Sequence, residues 1–169
     1  MKKIIIISAT LKSNYKLGEN IKGILVDMNL EVSLISLENY MLPLYTDKVF
    51  SEEKESYKEK ILYLTQKMKD ADGLIICGPE YNGSIPPIIS NTIAWVSTST
   101  DYWRDSFIDK IALIGTHSGG GGDKFFRSMK IQLEHLGLVV MPRGINVNNS
   151  SPLKKDSAKK ILKQFINLI

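Results

Sequence analysis

The chain has 169 residues, of which 43% are hydrophobic and 24% are charged. These fractions are close to the averages for folded globular domains, and they exclude disordered, collagen-like and disulfide-rich proteins. Its 22 basic and 18 acidic residues give a net charge of +4 and are spread along the chain. This charge is too small and too mixed for a nucleic-acid-binding arm, whereas it suits a small phosphorylated ligand.

The length matches one folded domain, which we expect to span residues 1–169. Cys77 is the only cysteine, so one chain cannot form a disulfide, a four-cysteine zinc site or a cysteine-ligated iron–sulfur cluster. The apolar run Ile4–Ile7 is too short for a signal peptide, and no stretch approaches the ~18 apolar residues of a membrane span. We therefore expect a cytoplasmic protein with no nucleic-acid partner and no membrane partner.

Short aliphatic runs with little polar alternation recur along the chain, as is typical of strands buried on both faces. They are Ile4–Ile7, Val32–Leu37, Gly73–Cys77, Ile111–Gly115 and Leu138–Met141. Between them, and after the last, apolar residues recur at helical spacing. These segments are Leu17–Met28, Tyr57–Met68, Ile88–Trp95, Phe126–Leu136 and Ala158–Ile169. The alternation predicts an α/β three-layer sandwich with a five-stranded parallel sheet.

Ligands of such sheets bind beyond the carboxyl ends of the strands. The loops after the first, third and fourth strands are Ser8–Lys16, Gly78–Pro87 and Thr116–Asp123, and all three are rich in Ser, Thr, Asn and Gly. We therefore predict the functional site where these loops meet. The acidic run Ser51–Glu55 lies elsewhere and is interpreted as the start of a helix, where acidic residues favour the positive end.

The first loop places hydroxyls, an amide and an ammonium just before a helix, in the sequence Ser8-Ala9-Thr10-Leu11-Lys12-Ser13-Asn14. Unpaired backbone N–H groups and the helix dipole would complete a phosphate site there. Ordinary helix capping by Ser13 or Asn14 explains the same residues equally well. The loop contains neither GxxxxGK(S/T) nor GxGxxG, so a nucleotide P-loop and a Rossmann dinucleotide site are both unsupported.

The second loop reads GPEYNGSIPP over Gly78–Pro87. Pro79 stiffens its start, the Asn82-Gly83 pair permits positive φ, and the final prolines suit a first helical turn. Such a rigid loop could present its backbone to the edge of a flat heteroaromatic ring, with Tyr81 beside it. A well-made strand–helix turn without a ligand is the alternative.

GPEYNGSIPP, followed by Asn91–Trp95, resembles the hallmark segment of the NADPH-dependent FMN reductase family. The third loop, GTHSGGGG over Gly115–Gly122, and the helix and strand after it are similar to the family's glycine-rich stretch in order and spacing. The resemblance covers most of Gly73–Pro142. It implies a flavodoxin-like fold with strand order 2-1-3-4-5. In the first loop, Ala9 and Lys12 replace the glycine and arginine that are usual in the family.

The resemblance implies non-covalently bound FMN, with NADPH or NADH as the hydride donor and a flavin, quinone, azo compound or similar small molecule as the electron acceptor. The implied FMN-binding residues are Ser8, Thr10, Lys12, Ser13 and Asn14 at the phosphate, Pro79, Glu80, Tyr81, Asn82, Gly83 and Ser84 at the ring edge, and Ser118, Gly119 and Gly120 across the ring. Because the cofactor carries the chemistry, we expect no catalytic base and no metal site. Family members usually form dimers or tetramers, so we expect a homodimer or homotetramer.

Two other functions suit this topology. A flavodoxin-like electron carrier or FMN-binding module would lack dehydrogenase activity, but the basic charge and the PEYNG segment favour the enzyme. A phosphoacceptor receiver needs acidic residues after the first strand and an aspartate ending the third, where this chain has Ser8–Thr10 and Cys77-Gly78.

Four further residues or segments need an interpretation. His117 either meets the flavin or the substrate or is a solvated loop histidine, and His135 is expected on the outer part of a helix. Cys77 is expected to be an inert packing thiol. Exposed aromatics in Tyr102–Arg104 indicate a partner surface or the roof of the active site. We expect self-association around Trp95, Tyr102 and Trp103.

Overall fold

A parallel sheet forms the middle layer of the protein in the computed structural model, which describes all residues from 1 to 169. The strands are β1 (Lys3–Ser8), β2 (Glu31–Ser36), β3 (Gly73–Cys77), β4 (Ile111–His117), β5 (Val139–Val140) and β6 (Ile145–Val147). Their order is β2-β1-β3-β4-β5, and β6 pairs with β4. The predicted α/β fold and the predicted strand order are confirmed.

Helices cover both faces of the sheet. They are α1 (Ser13–Val26), α2 (Asp47–Glu53), α3 (Lys58–Asp70), α4 (Pro87–Ser97), α5 (Asp123–His135) and α6 (Lys155–Leu168), with 3-10 turns at Leu37–Tyr40 and Lys54–Tyr57. Alternate residues of β1 enter opposite cores, because successive side chains of a strand point to opposite faces. Ile4 and Ile6 pack with α1 and α6, whereas Ile5 and Ile7 pack with α3, α4 and α5. None of the six helices has the length and apolar character that crossing a bilayer requires.

The predicted fifth strand is interrupted. β5 pairs only with Ile111 and Ala112, and the chain then leaves the sheet at Pro142–Gly144 and returns as β6 beside Gly115–His117. Proline cannot donate a ladder hydrogen bond, which ends the first segment. Gly144 allows the close return, because a Cβ there would lie 2.6 Å from the carbonyl oxygen of Ile114. The prediction of one strand over Leu138–Met141 is therefore wrong in length.

The acidic run Ser51–Glu55 lies at the end of a helix, so its interpretation as a helix start is wrong. α2 begins after Thr46, whose Oγ1 accepts a hydrogen bond from Val49 N at 3.1 Å. Threonine is a good N-cap residue, and Asp47 places a negative charge in the first turn. These two residues start the helix one turn earlier than the acidic run.

The segment between α4 and β4 lies at the amino-terminal edge of the sheet, far along the strands from the loops of interest. Lys110 fixes it there by donating to the carbonyl oxygens of Met68, Lys69 and Ala71 at 2.9, 2.6 and 2.6 Å. Exposed Tyr102 and Trp103 belong to this edge. The interpretation of Tyr102–Arg104 as a roof over the active site is therefore wrong.

Trp95 is fully buried in the core on the α3–α5 face of the sheet. Its Nε1 donates to the carbonyl oxygen of Pro43 at 2.8 Å, and its ring packs against Tyr45 with the centroids 5.4 Å apart. Trp95 therefore cannot form part of a surface for self-association, and only Tyr102 and Trp103 of the predicted patch are exposed.

Candidate functional site

Three neighbouring strands end at the same edge of the sheet. Ser8 at the end of β1 is in register with Cys77 of β3, and Cys77 is in register with Gly115 of β4. The three predicted loops therefore leave the sheet side by side. The Ala9 N–H donates to the Cys77 carbonyl at 2.8 Å, and the Ser8 hydroxyl donates to the Thr10 carbonyl at 2.7 Å. These bonds fix the start of the first loop.

The backbone N–H groups of the first loop have almost no hydrogen-bond acceptors within the protein. Among the backbone N–H groups from Thr10 to Tyr15, only that of Leu11 has an acceptor in the protein, the carboxylate of Glu38. No side chain caps the start of α1. The Lys12 ammonium makes no ion pair, because the ion pairs of the chain all lie elsewhere. Free donors at a helix N-terminus favour a bound anion.

Asn14 connects the first loop to the third. Its side chain is buried, donates to the His117 carbonyl at 3.0 Å and accepts from the His117 N–H at 2.8 Å. Both ends of the amide are used in this pair. The side chain therefore holds the two loops at a fixed separation, and the backbone N–H of Asn14 stays free for a ligand.

The second loop is a two-residue hairpin. Tyr81 and Ser84 exchange backbone hydrogen bonds of 3.1 and 2.9 Å around Asn82 and Gly83, whose φ angles are 50° and 74°. Positive φ at both central residues is typical of a type I′ turn, for which Asn-Gly is a preferred pair. The turn leaves the N–H groups of Asn82 and Gly83 unpaired. The side chain of Tyr81 is 49% exposed beside them.

Glu80 and Ser118 connect the second loop to the third. The Glu80 N–H donates to Ser118 Oγ at 2.8 Å, and the Glu80 carboxylate accepts from the N–H groups of Lys124 and Phe125 at 3.0 and 3.4 Å. The carboxylate thus caps α5, whose N-cap residue Gly122 has no side chain to do so. Ser118 Oγ also bonds to Thr116 Oγ1 at 2.8 Å. Both side chains are engaged within the protein.

Gly119 and Gly120 are glycines that the fold itself does not require. A Cβ added at either position would meet no atom within 4 Å, and neither residue has positive φ. Gly122 differs, since its φ is 71° and a Cβ would lie 2.6 Å from Thr116 Cγ2. Gly23 in α1 also faces open space. Unlike Gly119 and Gly120, it has no second such glycine next to it and no free N–H groups beside it. Space at Gly119 and Gly120 suits a flat ligand lying against the backbone.

β6 and the segment after it support the third loop, a role that was not predicted. Asn146 and Asn148 donate from Nδ2 to the carbonyl oxygens of Gly121 and Gly120 at 3.3 and 3.4 Å. The Ser118 N–H donates to the Val147 carbonyl at 3.3 Å. The only signal in the sequence is the turn composition Asn-Asn-Ser-Ser-Pro over 148–152. Glu38, beside the first loop, also went unpredicted.

His117 and Cys77 both face the α1 and α6 layer. His117 lies in a groove of about 520 Å³ with Ser13, Lys16 and Asn149, and its Nε2 is 3.3 Å from Asn149 Oδ1. Thr116 and Ser118 point to the other face, since strand residues alternate. Cys77 is fully buried, and burial raises the pKa of its thiol to about 12. A protonated thiol is a poor nucleophile, which agrees with the predicted packing role.

No group of three or more His, Cys, Asp and Glu side chains is arranged to hold a metal ion. The site instead consists of free N–H groups, hydroxyls and glycines on three braced loops. The sequence profile of the NADPH-dependent FMN reductase family matches residues 2–151. The chain belongs to this family. The predicted family is confirmed, and its description names the predicted cofactors, FMN and NADPH.

Two curated relatives are enzymes by name. The quinone reductase of Escherichia coli (strain K12) is 32% identical over 102 residues, which cover 59% of this chain and 52% of the relative. The NADPH azoreductase of Bacillus sp. (strain OY1-2) is 30% identical over 117 residues, covering 68% of this chain and 60% of the relative. The chain thus spans about half the length of the curated relatives it matches.

Solved structures show the same fold. The flavoenzyme NAD(P)H:(acceptor) oxidoreductase from Paracoccus denitrificans has a TM-score of 0.76 and 24% identity, over 99% of this chain and 95% of the other. At this identity the likeness establishes the fold alone. The function therefore depends on the residues of the loops.

Proposed function

We propose that the protein is an FMN-dependent NAD(P)H oxidoreductase that reduces a small acceptor such as a flavin, a quinone or an azo compound. The observation that carries this proposal is the first loop, where the donors from Thr10 to Tyr15 have one acceptor, beside two glycines that the fold does not require. Family membership and the names of the two relatives support it.

The first loop would hold the FMN phosphate. The hydroxyls of Thr10 and Ser13, the ammonium of Lys12 and the free N–H groups at the start of α1 are the donors that a phosphate needs. Ser8 and Asn14 would act mainly by fixing the loop, because their side chains bond to the Thr10 carbonyl and to the His117 backbone.

The second and third loops would hold the isoalloxazine ring. The N–H groups of Asn82 and Gly83 are free to donate to the polar edge of the ring, with the Pro79 and Ser84 backbone beside them. Gly119 and Gly120 would lie across the ring, where a Cβ would occupy the same space. The bonds of Glu80 to Ser118 and α5 keep the two sides at a fixed separation.

FMN supplies the redox chemistry when bound, and the chain's residues supply position and electrostatics. Tyr81 is 49% exposed at the rim, and Gly119 and Gly120 are exposed. A nicotinamide and then an acceptor could therefore reach the same open side in turn. We propose no catalytic base and infer a homodimer or homotetramer from the family resemblance.

Anaerobic reduction tests the proposal. The purified protein is loaded with FMN, passed through a desalting column and mixed with NADPH or NADH while flavin absorbance is recorded. We expect rapid bleaching with at least one nucleotide and recolouring when a quinone, an azo dye or free flavin is added. FMN binding without bleaching by either nucleotide would indicate the electron-carrier alternative. Absence of FMN binding by equilibrium dialysis would overturn the proposal.

A further inference from the structure

The carboxylate of Glu38 binds one of the backbone N–H donors of the first loop. It follows β2, the strand beside β1, and its carboxylate accepts the Leu11 N–H. Glu38 is exposed and makes no ion pair with any lysine. The one anion of the chain that reaches this run of donors therefore comes from the turn after a neighbouring strand. It binds at the position where we propose that phosphate binds.

The backbone of Glu38 is held in place. Its N–H donates to Ser36 Oγ at 3.4 Å, and the neighbouring Leu37 is buried in the core with 1% exposure. The side chain, in contrast, is exposed, and the Leu11 N–H is its one hydrogen-bond donor. Glu38 can therefore withdraw its carboxylate from the Leu11 N–H, but its charge stays close to the loop.

We propose that Glu38 sets the preference of the protein between phosphorylated and unphosphorylated flavins, by competing with the FMN phosphate for the first loop. This inference rests on the proposed function, because it requires the phosphate to bind there. FMN has to displace a charge-assisted hydrogen bond and then lies beside a like charge, and both effects weaken its binding. Riboflavin has no phosphate and is affected by neither. Glu38 thus makes FMN easier to release than the loop donors alone would allow.

Flavin affinities of charge-neutral variants test this inference. Dissociation constants for FMN and riboflavin are measured by quenching of flavin fluorescence for the wild type, Glu38→Gln and Glu38→Ala. The matched control is Glu31→Gln, which removes the same charge from the exposed first residue of β2, at the opposite end of that strand. Thermal unfolding followed by circular dichroism confirms that each variant is folded.

We expect both Glu38 variants to bind FMN about tenfold more tightly, which corresponds to about 1.4 kcal/mol, and riboflavin as the wild type does. Glu31→Gln should change neither affinity. The gain should shrink at high salt, because screening weakens the repulsion between exposed charges.

Three results would overturn the inference while leaving the proposed function intact. They are weaker FMN binding in the Glu38 variants, equal changes for FMN and riboflavin, and no change for either flavin. In each of these, the wild type still binds FMN and is still bleached by a pyridine nucleotide. If the wild type binds neither flavin, the proposed function fails, and this inference fails with it.

Discussion

The two edges of the sheet use their polar groups differently. At the amino-terminal edge, Lys110 donates to three carbonyl oxygens at the end of α3, and the Lys3 N–H donates to Asp72 at 2.7 Å. At the carboxyl-terminal edge, the N–H groups from Thr10 to Tyr15 share one acceptor, Glu38. Paired groups stabilise the fold, whereas exposed unpaired donors can bind a ligand. The difference supports the proposal that the ligand binds at the carboxyl-terminal edge.

The aromatic side chains show the same contrast. At the amino-terminal edge, Trp103 packs against His135 with the ring centroids 5.5 Å apart, and the Arg104 guanidinium lies 4.3 Å from the centroid of the Trp103 ring. Tyr81, at the other edge, is 49% exposed and has no aromatic or cationic neighbour of this kind. The amino-terminal edge has two exceptions to its pairing, since the buried Arg104 Nε and Ser106 Oγ have no hydrogen-bond partner; nothing in the structure explains them.

The largest expected effect comes from placing a charge in the first loop. Thr10→Asp would set a carboxylate against the FMN phosphate. At about 4 Å and an effective dielectric constant near 20, two unit charges repel by roughly 4 kcal/mol, which weakens binding about a thousandfold. Equilibrium dialysis with FMN and with riboflavin measures this effect. Riboflavin should lose far less affinity, and an equal loss for both flavins, or none for either, would place the phosphate elsewhere.

At the opposite edge, a lost charge should affect stability alone. Lys110→Met removes the donor to the carbonyls of Met68, Lys69 and Ala71, and we expect the free energy of unfolding to fall by roughly 2–3 kcal/mol. Urea denaturation measures the loss, and FMN affinity should stay unchanged. Lys163→Met on the exposed side of α6 is the matched control, with an expected change within about 0.5 kcal/mol. Weaker FMN binding without a loss of stability would contradict the division between the edges.

Substitutions of two glycines in the third loop can distinguish effects on FMN binding from effects on folding at the same edge of the sheet. Gly122→Ala requires a left-handed backbone and a Cβ 2.6 Å from Thr116, so we expect it to destabilise the protein by about 1–2 kcal/mol. Gly120→Ala should leave stability within about 0.5 kcal/mol or raise it slightly, while weakening FMN binding. Denaturation and FMN titration of both variants measure these effects. Full FMN affinity in Gly120→Ala would show that the ring does not lie against that backbone.

The fold could be predicted from local patterns because buried parallel strands and amphipathic helices leave distinct periodicities. One error arose from a long-range contact and the other from a local helix cap. The chain returns to β4 after Pro142–Gly144 because Gly144 can approach Ile114, a contact that no local pattern reveals. Two sequence features could each mark the start of α2, the Thr46–Asp47 pair and the acidic run Ser51–Glu55. The helix begins at Thr46–Asp47, so the longer acidic run was the weaker signal.

The loops of the candidate site could be predicted from composition and from the switch-point rule, but the tasks of their side chains could not. Asn14, Glu80 and Ser118 suit ligand binding by residue type, yet their partners in the fold lie 103, 44 and 38 residues away along the chain. Glu38 lies 27 residues from Leu11, in the 3-10 turn that follows β2. Pairings at such separations become visible only when the sheet brings the loops together.

Cys77 tests the comparison between the two edges of the sheet. It ends β3 at the carboxyl-terminal edge but is fully buried beneath α1. Cys77→Ala leaves a small cavity, and we expect a loss of about 1 kcal/mol in urea denaturation at neutral pH with turnover retained. Burial raises the pKa of the thiol from 9.0 to about 12, so the fold favours the protonated form. The stability that this proton contributes is present below pH 9 and is lost as the pH rises toward 12, so the difference between wild type and variant should shrink over that range. A Cys77→Ala variant that binds FMN but has no turnover would instead show that the thiol takes part in the reaction. Burial would then not distinguish structural residues from functional ones at the carboxyl-terminal edge.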